Sequence, residues 1–309
     1  FKLGDWSGTD ADFSKLNAST TVGPATVGAT QVSGGATTFD AGMTLAGVKV
    51  DVTNITNTAR STTASAKVAG FSVGVEHAKD NDAPDLKEFW QNGRTHTGEG
   101  NTPTYPANVW PEKDVPEFKP VIDGLFNQME SLSQDILSAC SQYLGKPQDW
   151  LGEMSQEGNT IMRIIHYPPV GDHAPAGAVR SAAHEDINLI TLLVTATADG
   201  LQVMDHDGSW INVEGDARYI IVDSGDMLQN LTNGLFRSTT HRVVNPKDTK
   251  SRRFSMPMFV HPRNEIDLTP RPEFVEMTGG EAQYQSITAG AYLHQRLVEI
   301  GLAEPEGNK

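Results

Sequence analysis

The 309-residue sequence is poor in several features that define large classes of protein. Its single cysteine, Cys140, excludes an intramolecular disulfide framework and a cysteine-based zinc site. No run approaches the roughly 18 consecutive apolar residues of a transmembrane helix. The N-terminal letters FKLGDWSGTD contain no basic segment followed by an apolar run, so no secretory signal is visible. We therefore expect a soluble, cytoplasmic protein.

Basic side chains are also scarce, since 24 Lys and Arg stand against 39 Asp and Glu, a formal net charge of −15. That balance disfavours nucleic acid or an anionic membrane as the main partner and leaves a small molecule as the expected one.

Composition changes along the chain. Between Asn17 and Gly70, 36 of 54 residues are Thr, Ala, Val or Gly, and Phe39 is the one aromatic residue. This stretch has little large apolar surface and no helical period, so we predict short strands and loops. We assign residues 1–118 to an N-terminal region of uncertain structure and residues 119–309 to a core, and we expect one compact unit.

The core reads as mainly β with flanking helices. Pro120 to Leu144 carries apolar residues at steps of three and four, which predicts an amphipathic helix that ends at Gly145. A series of short strands with turn residues between them follows, including a hairpin at Asp207-Gly208. Such a series is typical of a jelly roll. Ile287 to Leu302 predicts a final helix.

One histidine motif stands out from the rest of the core. On a strand, residues two apart face the same side, so His184 and Asp186 can converge on one ion. His241, at an apparent strand or strand end, is the best candidate for a third ligand. Two imidazoles and one carboxylate on one face of an octahedron suit non-haem Fe(II), because the open positions admit O2 and an organic substrate. Taken alone, H-x-D is a weak motif.

Arg253 and Ser255 form a second pattern, on a predicted strand where alternate residues share a face. An inward Arg and a Ser hydroxyl make a socket for a carboxylate. A structural salt bridge across the barrel is an equally valid interpretation of the arginine.

The joint order of these motifs is similar to that of the isopenicillin N synthase-like family of Fe(II)/2-oxoglutarate-dependent oxygenases. The resemblance runs from about Gly70 to Leu302. It rests on Tyr167-Pro168-Pro169, His184-x-Asp186, Gly225-Asp226-Met227-Leu228, Thr232-Asn233-Gly234, His241-Arg242-Val243 and Arg253-x-Ser255, with further matches at Asp85 to Trp90 and Asn108 to Pro111.

The resemblance implies a double-stranded β-helix, which is a distorted jelly roll, and it implies roles for the motif residues. His184, Asp186 and His241 would bind iron as a facial triad. Arg253 and Ser255, with the hydroxyl of Tyr167, would hold the distal carboxylate of 2-oxoglutarate. The sequence departs from the family pattern in two places. Ile165 stands where many members carry Asn, and residues 17–70 lack the aromatic residues usual there, so this stretch is atypical for the family.

The function implied is oxidation of a C–H bond of a small molecule with Fe(II), 2-oxoglutarate and O2, by hydroxylation, desaturation or cyclisation. Three alternatives remain open from the residues. One is an Fe(II) oxidase of the isopenicillin N synthase type that uses no 2-oxoglutarate, another is a zinc hydrolase on the same three ligands, and the third is a non-catalytic binding protein. The sequence identifies neither the substrate nor the oligomeric state.

Overall fold

The computed structural model describes residues 85–95, 105, 107–170, 174, 177–194, 196–216, 218–300 and 303, together with the backbone of strands nearer the N-terminus. The chain divides into two compact units. The first comprises residues 1–85 and 300–302, and the second comprises residues 86–299 and 303–309. The boundary at residue 118 and the single compact unit expected from the sequence stay predictions.

The first unit contains a seven-stranded antiparallel sheet in which each strand pairs with the next along the chain. Threonine and valine are frequent in these strands, and β-branched side chains favour extended backbone. Val22 pairs with Ala25 and Leu45 pairs with Val48, so in each of these two hairpins only two residues connect the strands. The strands are β1 Lys2–Leu3, β2 Leu16–Val22, β3 Ala25–Gln31, β4 Thr37–Leu45, β5 Val48–Thr56, β6 Thr62–Val68 and β7 Phe71–Gly74.

The second unit is built on two further antiparallel sheets. Its strands are β8 Glu88–Gly93, β9 Ile161–Tyr167, β10 Ser181–His184, β11 Ile190–Val194, β12 Leu201–Met204, β13 Trp210–Asn212, β14 Ile220–Ser224, β15 His241–Val243 and β16 Arg253–Val260. The larger sheet has the order β14-β11-β16-β9-β8, and the smaller has the order β10-β15-β12-β13. The hairpin β12–β13 turns at Gly208, whose φ of 83° suits glycine, as the sequence predicts.

Five helices accompany these sheets in the part of the chain that the structure describes. They are α1 Phe118–Tyr143, α2 Trp150–Ser155, α3 Asp226–Leu231, α4 Pro272–Met277 and α5 Ala289–Glu299. Helix α1 buries Ile122, Phe126 and Met129 on one face, and each such side chain contributes about 1.5–3 kcal/mol of hydrophobic stabilisation. Both long predicted helices are present, with ends shifted by a few residues, whereas the short helices α2, α3 and α4 were not predicted.

The alternation of side chains along the larger sheet divides its two faces between two cores. On one face, Met162, Leu192 and Met258 pack with the apolar stripe of α1. On the other, Ile165 and Tyr167 of β9 pack with residues of the smaller sheet, Leu201 and Val243. The two sheets therefore face each other, with α1 outside the larger one. This is the jelly-roll arrangement expected from the sequence, and the fold class is confirmed.

We expect Gly225→Ala to destabilise the fold by about 2–3 kcal/mol through overpacking. A Cβ at Gly225 would lie 2.4 Å from both the carbonyl oxygen and the Oδ1 atom of Asn188. Gly124→Ala in α1 is the matched control, because its Cβ would meet nothing within 4 Å. That change should stabilise the helix by about 0.5–1 kcal/mol. Urea unfolding of both variants measures the difference, and equal effects would contradict the close approach at Gly225.

Candidate metal centre

The three predicted metal ligands converge in the second unit. His184 is the last residue of β10 and lies opposite His241, the first residue of β15. Asp186 lies two residues beyond the end of β10, so it is not on a strand as the sequence pattern suggested. One ligand atom from each of the three residues lies within 4.8 Å of the others. The Nε2 atoms of His184 and His241 are each 3.9 Å from Oδ1 of Asp186.

Backbone carbonyl groups orient both imidazoles. Nδ1 of His184 lies 2.7 Å from the carbonyl oxygen of Ala182, and Nδ1 of His241 lies 2.9 Å from that of Thr239. Because a carbonyl oxygen only accepts, each Nδ1 must donate its proton. The Nε2 lone pairs are then left for a metal ion, which is the arrangement expected of metal-binding histidines.

A buried hydrogen-bond chain positions the carboxylate of Asp186. The side-chain amide of Asn188 donates to the Thr191 hydroxyl at 2.8 Å, and this hydroxyl donates to Oδ2 of Asp186 at 2.5 Å. Asp186 is 6% exposed, so its second oxygen would otherwise be buried without a partner. These hydrogen bonds engage Oδ2 of Asp186 and leave its Oδ1 facing the two imidazoles.

The protonation states of His184 and Asp186 suit a cation. Burial and the neighbouring His241 lower the pKa of His184 to about 4, so its imidazole is neutral at pH 7. Burial alone would raise the pKa of Asp186, but His241, His184 and Thr191 outweigh it and hold that pKa below the ordinary value. A neutral imidazole and an ionised carboxylate are the protonation states that metal ligands require. Burial alone would lower the pKa of His241, but Asp186 and Asp223 outweigh it and hold that pKa above the ordinary value, so a metal ion would displace a proton there.

A second carboxylate, Asp223, lies beside the three ligands. Its Oδ2 is 3.9 Å from Nδ1 of His241, and it pairs with Thr191 across β14 and β11. Burial and the charge of Asp186 raise the pKa of Asp223 to about 7, although His241 opposes this shift. Asp223 was not predicted from the sequence. Ile221 packs against the core between the two sheets, and Asp223 lies two residues further along β14. Strand alternation would therefore have placed the side chain of Asp223 on the same face.

Arg253, Ser255 and Tyr167 form a group on the larger sheet. Arg253 lies directly opposite Tyr167 across β16 and β9, and its guanidinium carbon is 4.8 Å from the ring centroid of Tyr167. The Nη1 atom of Arg253 donates to the Ser255 hydroxyl at 3.2 Å, and its Nε donates to the carbonyl oxygen of Ala198 at 3.1 Å. All three predicted residues are therefore together and buried.

The salt bridge considered as the alternative for Arg253 is not present in the part of the chain that the structure describes, where no carboxylate forms an ion pair with it. Burial lowers the pKa of Arg253, and this shift is opposed by Tyr167 and by the more distant Asp199. A buried guanidinium without a close carboxylate favours an anionic ligand.

Two further arginines on or next to strands of this jelly roll were not predicted as site residues from the sequence. Arg163 shares its face of β9 with Ile165 and Tyr167, and its guanidinium carbon lies 4.3 Å from the Phe89 ring centroid. Its Nε donates to the side chain of Gln91 at 2.8 Å. Strand alternation from Tyr167 would have indicated this residue. Arg180 is fully buried just before β10, in a segment without a periodic pattern.

The helices that the structure describes give no candidate for a membrane span, because none combines sufficient length with sufficient apolar character.

The model of the 2OG-Fe(II) oxygenase superfamily matches residues 158–262, which contain all six predicted site residues. Proline hydroxylase buaE from Petromyces alliaceus is 30% identical over 225 residues, covering 70% of this chain and 68% of the relative. The chain spans between 52% and 68% of the length of several curated relatives that it matches.

Solved structures give the same family. A putative 2OG-Fe(II) oxygenase family protein from Caulobacter crescentus is 38% identical with a TM-score of 0.63, and the match covers 74% of each chain. A full-length protein from Neurospora crassa, solved in complex with alpha-KG and thymine, is 30% identical with a TM-score of 0.62, covering 70% of this chain and 66% of that one.

The chain therefore belongs to the 2OG-Fe(II) oxygenase superfamily. The family and enzyme class expected from the sequence are confirmed, and so are the cofactors of that class, Fe(II), 2-oxoglutarate and O2.

We expect Thr191→Val to weaken metal binding by about 10- to 100-fold, because it removes the hydroxyl that orients Asp186. Calorimetric titration with Mn(II), which is redox-stable, measures the affinity. Thr240→Val is the matched control, since its hydroxyl donates to Glu185, also at 2.5 Å, and Glu185 is not a predicted ligand. Equal affinities of the two variants would contradict a role for Thr191 in positioning the ligand.

We also expect His261 to make stability depend on pH. It is buried, and burial lowers its pKa from 6.5 to about 4. The unfolded chain therefore takes up a proton at this residue below pH 6.5, whereas the folded protein does not. Stability present above pH 6.5 is lost as the pH falls towards 4, by about 3 kcal/mol.

His261→Asn tests this expectation, because the Asn side-chain amide can replace the Nδ1 group that lies 3.2 Å from the carbonyl oxygen of Phe259. The free energy of unfolding should fall more steeply between pH 6.5 and 4 in the parent than in the variant. Parallel curves would show that His261 contributes nothing to the pH dependence.

Proposed function

We propose that the protein is an Fe(II)- and 2-oxoglutarate-dependent dioxygenase that oxidises a C–H bond of a small molecule, by hydroxylation, desaturation or cyclisation. The observation that carries the proposal is the convergence of His184, Asp186 and His241, whose ligand atoms lie within 4.8 Å of one another. The buried cluster around Arg253 in the same jelly roll supports a carboxylate-bearing cosubstrate.

The donor set fits iron. Two imidazole nitrogens and one carboxylate oxygen are the ligands of the facial triad found in non-haem Fe(II) oxygenases. His184, Asp186 and His241 would hold the metal, and the carbonyl oxygens of Ala182 and Thr239 would keep both imidazoles in the required tautomer. Bound iron supplies the redox chemistry by which O2 oxidises 2-oxoglutarate and then the substrate.

Arg253, Ser255 and Tyr167 would bind the distal carboxylate of 2-oxoglutarate. The guanidinium offers charge-assisted hydrogen bonds, and the Ser255 hydroxyl, which already accepts one from Arg253, can donate its own proton to the ligand. Burial of this cluster excludes water, which strengthens its attraction for an anion. These residues bind and orient the cosubstrate and take no part in proton transfer.

A small-molecule substrate is supported by the related proteins, one of which is named a proline hydroxylase and another of which was solved with thymine. The acidic net charge of −15 disfavours nucleic acid and anionic membranes as partners. We infer a cytoplasmic location, because one cysteine in 309 residues suits a reducing compartment.

The test is anaerobic addition of 2-oxoglutarate to the Fe(II)-loaded protein, with detection of the visible charge-transfer band of a 2-oxo acid bound to Fe(II). The parent should show the band. His241→Ala should abolish it, because one of three metal ligands is lost. Arg253→Ala should weaken 2-oxoglutarate binding by about 10-fold or more, because a charge-assisted hydrogen bond is removed.

Substitutions at two exposed or outward-facing residues are the matched controls, and both variants should show the same band as the parent. They are His206→Ala and Arg242→Ala, whose parent side chains contact Arg237 and the Trp210 ring respectively. Iron binding without the band would favour an oxidase that needs no 2-oxoglutarate. Failure of the folded parent to bind iron would refute the proposed function, and turnover without O2 would indicate a hydrolase.

A further inference from the structure

Arg180 is a buried cation that the predicted site does not include. It immediately precedes β10 and is fully buried, at 0% exposure. Its Nη2 atom donates to the carbonyl oxygen of Ser251 at 2.7 Å. Its Nε and Nη1 atoms have no hydrogen-bond partner among the described residues. Two unsatisfied donors on one buried guanidinium are costly unless a ligand accepts from them.

The charges around Arg180 increase that cost. No carboxylate forms an ion pair with it in the described ranges. Burial and the nearby positive charge of Arg253 lower the pKa of Arg180, and Tyr167 opposes this shift. Two guanidinium groups that repel each other in a buried setting require an anion to balance them.

Arg180 lies at the same place in the fold as the proposed carboxylate anchor. Ser251, which accepts its hydrogen bond, comes two residues before Arg253 at the start of β16. The guanidinium carbon of Arg180 lies 6.0 Å from the ring centroid of Tyr167, and that of Arg253 lies 4.8 Å from the same point. Both cations therefore border the Tyr167 ring.

The anchor at Arg253 leaves room for such a second contact. Arg253 already uses Nε on the carbonyl oxygen of Ala198 and Nη1 on the Ser255 hydroxyl. A bidentate guanidinium contact directs two N–H donors at a carboxylate and the Ser255 hydroxyl adds one, so these two residues leave part of the roughly four lone-pair sites on its oxygens unfilled. Arg180 has the unused donors that would complete this set.

We propose that Arg180 is a second cationic contact for the distal carboxylate of 2-oxoglutarate, so that this carboxylate is held by two arginines beside Tyr167. The proposal rests on the proposed function, because it assigns a further residue to the cosubstrate pocket of that enzyme. Under this proposal Arg180 makes the pocket prefer ligands that carry a distal carboxylate, which a purely structural role in folding would not do.

The experiment compares two ligands that differ at that one group. 2-Oxopentanoate has the five-carbon chain of 2-oxoglutarate with a methyl group in place of the distal carboxylate. Both ligands are titrated anaerobically into Fe(II)-loaded protein, and the ratio of the two dissociation constants gives the preference for the distal carboxylate. Arg180→Gln should weaken 2-oxoglutarate binding by about 10- to 100-fold and leave 2-oxopentanoate binding unchanged.

Arg180→Lys, which retains one positive charge, should lose part of the preference, and it also serves as the test if the Gln variant does not fold. Arg242→Gln is the control for removal of an arginine outside the pocket, and it should alter neither constant. If Arg180 had only a structural role, its replacement would weaken the binding of both ligands equally, and that result would overturn the inference. So would full preference for 2-oxoglutarate in the variants. Absence of 2-oxoglutarate binding by the parent would instead refute the proposed function.

Discussion

The proposed metal centre depends on the register between β10 and β15. This pairing sets His184 directly opposite His241, and a shift of one residue would turn a strand's side chains to the other face of the sheet. A β-bulge between Ser181 and His184 adjusts β10 so that both Ser181 and His184 have partners on β15. The two imidazoles then present their Nε2 atoms to the same point, because carbonyl oxygens hold both Nδ1 atoms. The position of the site is thus decided by backbone pairing before any metal is bound.

The third predicted ligand depends on a different kind of constraint, because Asp186 lies outside the strand. Its carbonyl oxygen accepts a hydrogen bond from the backbone N–H of Asp226 at 2.8 Å, and its carboxylate is held by Thr191. The segment that carries Asp226 approaches so closely that Gly225 has no space for a Cβ. The start of helix α3 therefore packs directly against the loop after β10. That packing gives the Gly225-Asp226 pair a structural role at the metal centre, although neither residue is placed among the ligands.

The sequence predicted those parts of the site that follow from strand alternation. Arg253 and Ser255 share a face because they are two apart on β16, and both lie on a strand as predicted. Asp186 lies beside the two predicted histidine ligands, but strand alternation does not place it there, since it converges through a loop whose path depends on distant packing. Arg180 was missed because it lies before a strand and meets Ser251 across a long separation in sequence. Such contacts arise from tertiary structure and leave no periodic pattern in the sequence.

The two ends of the proposed pocket carry opposite charges, and this separation bears on what the pocket can accept. Asp186 and Asp223 make the metal end acidic, whereas Arg253 and Arg180 make the end at Tyr167 basic. The chain as a whole has a charge of −15, so the general field of the protein repels a dianion such as 2-oxoglutarate. Local burial reverses that effect, because charges held in a water-excluded site interact far more strongly than charges on the surface. A cation bound by His184, Asp186 and His241 would complete the reversal at the metal end. Metal and cosubstrate would then favour each other's binding, because the positive charge of the metal offsets the carboxylate charge that would otherwise repel the dianion.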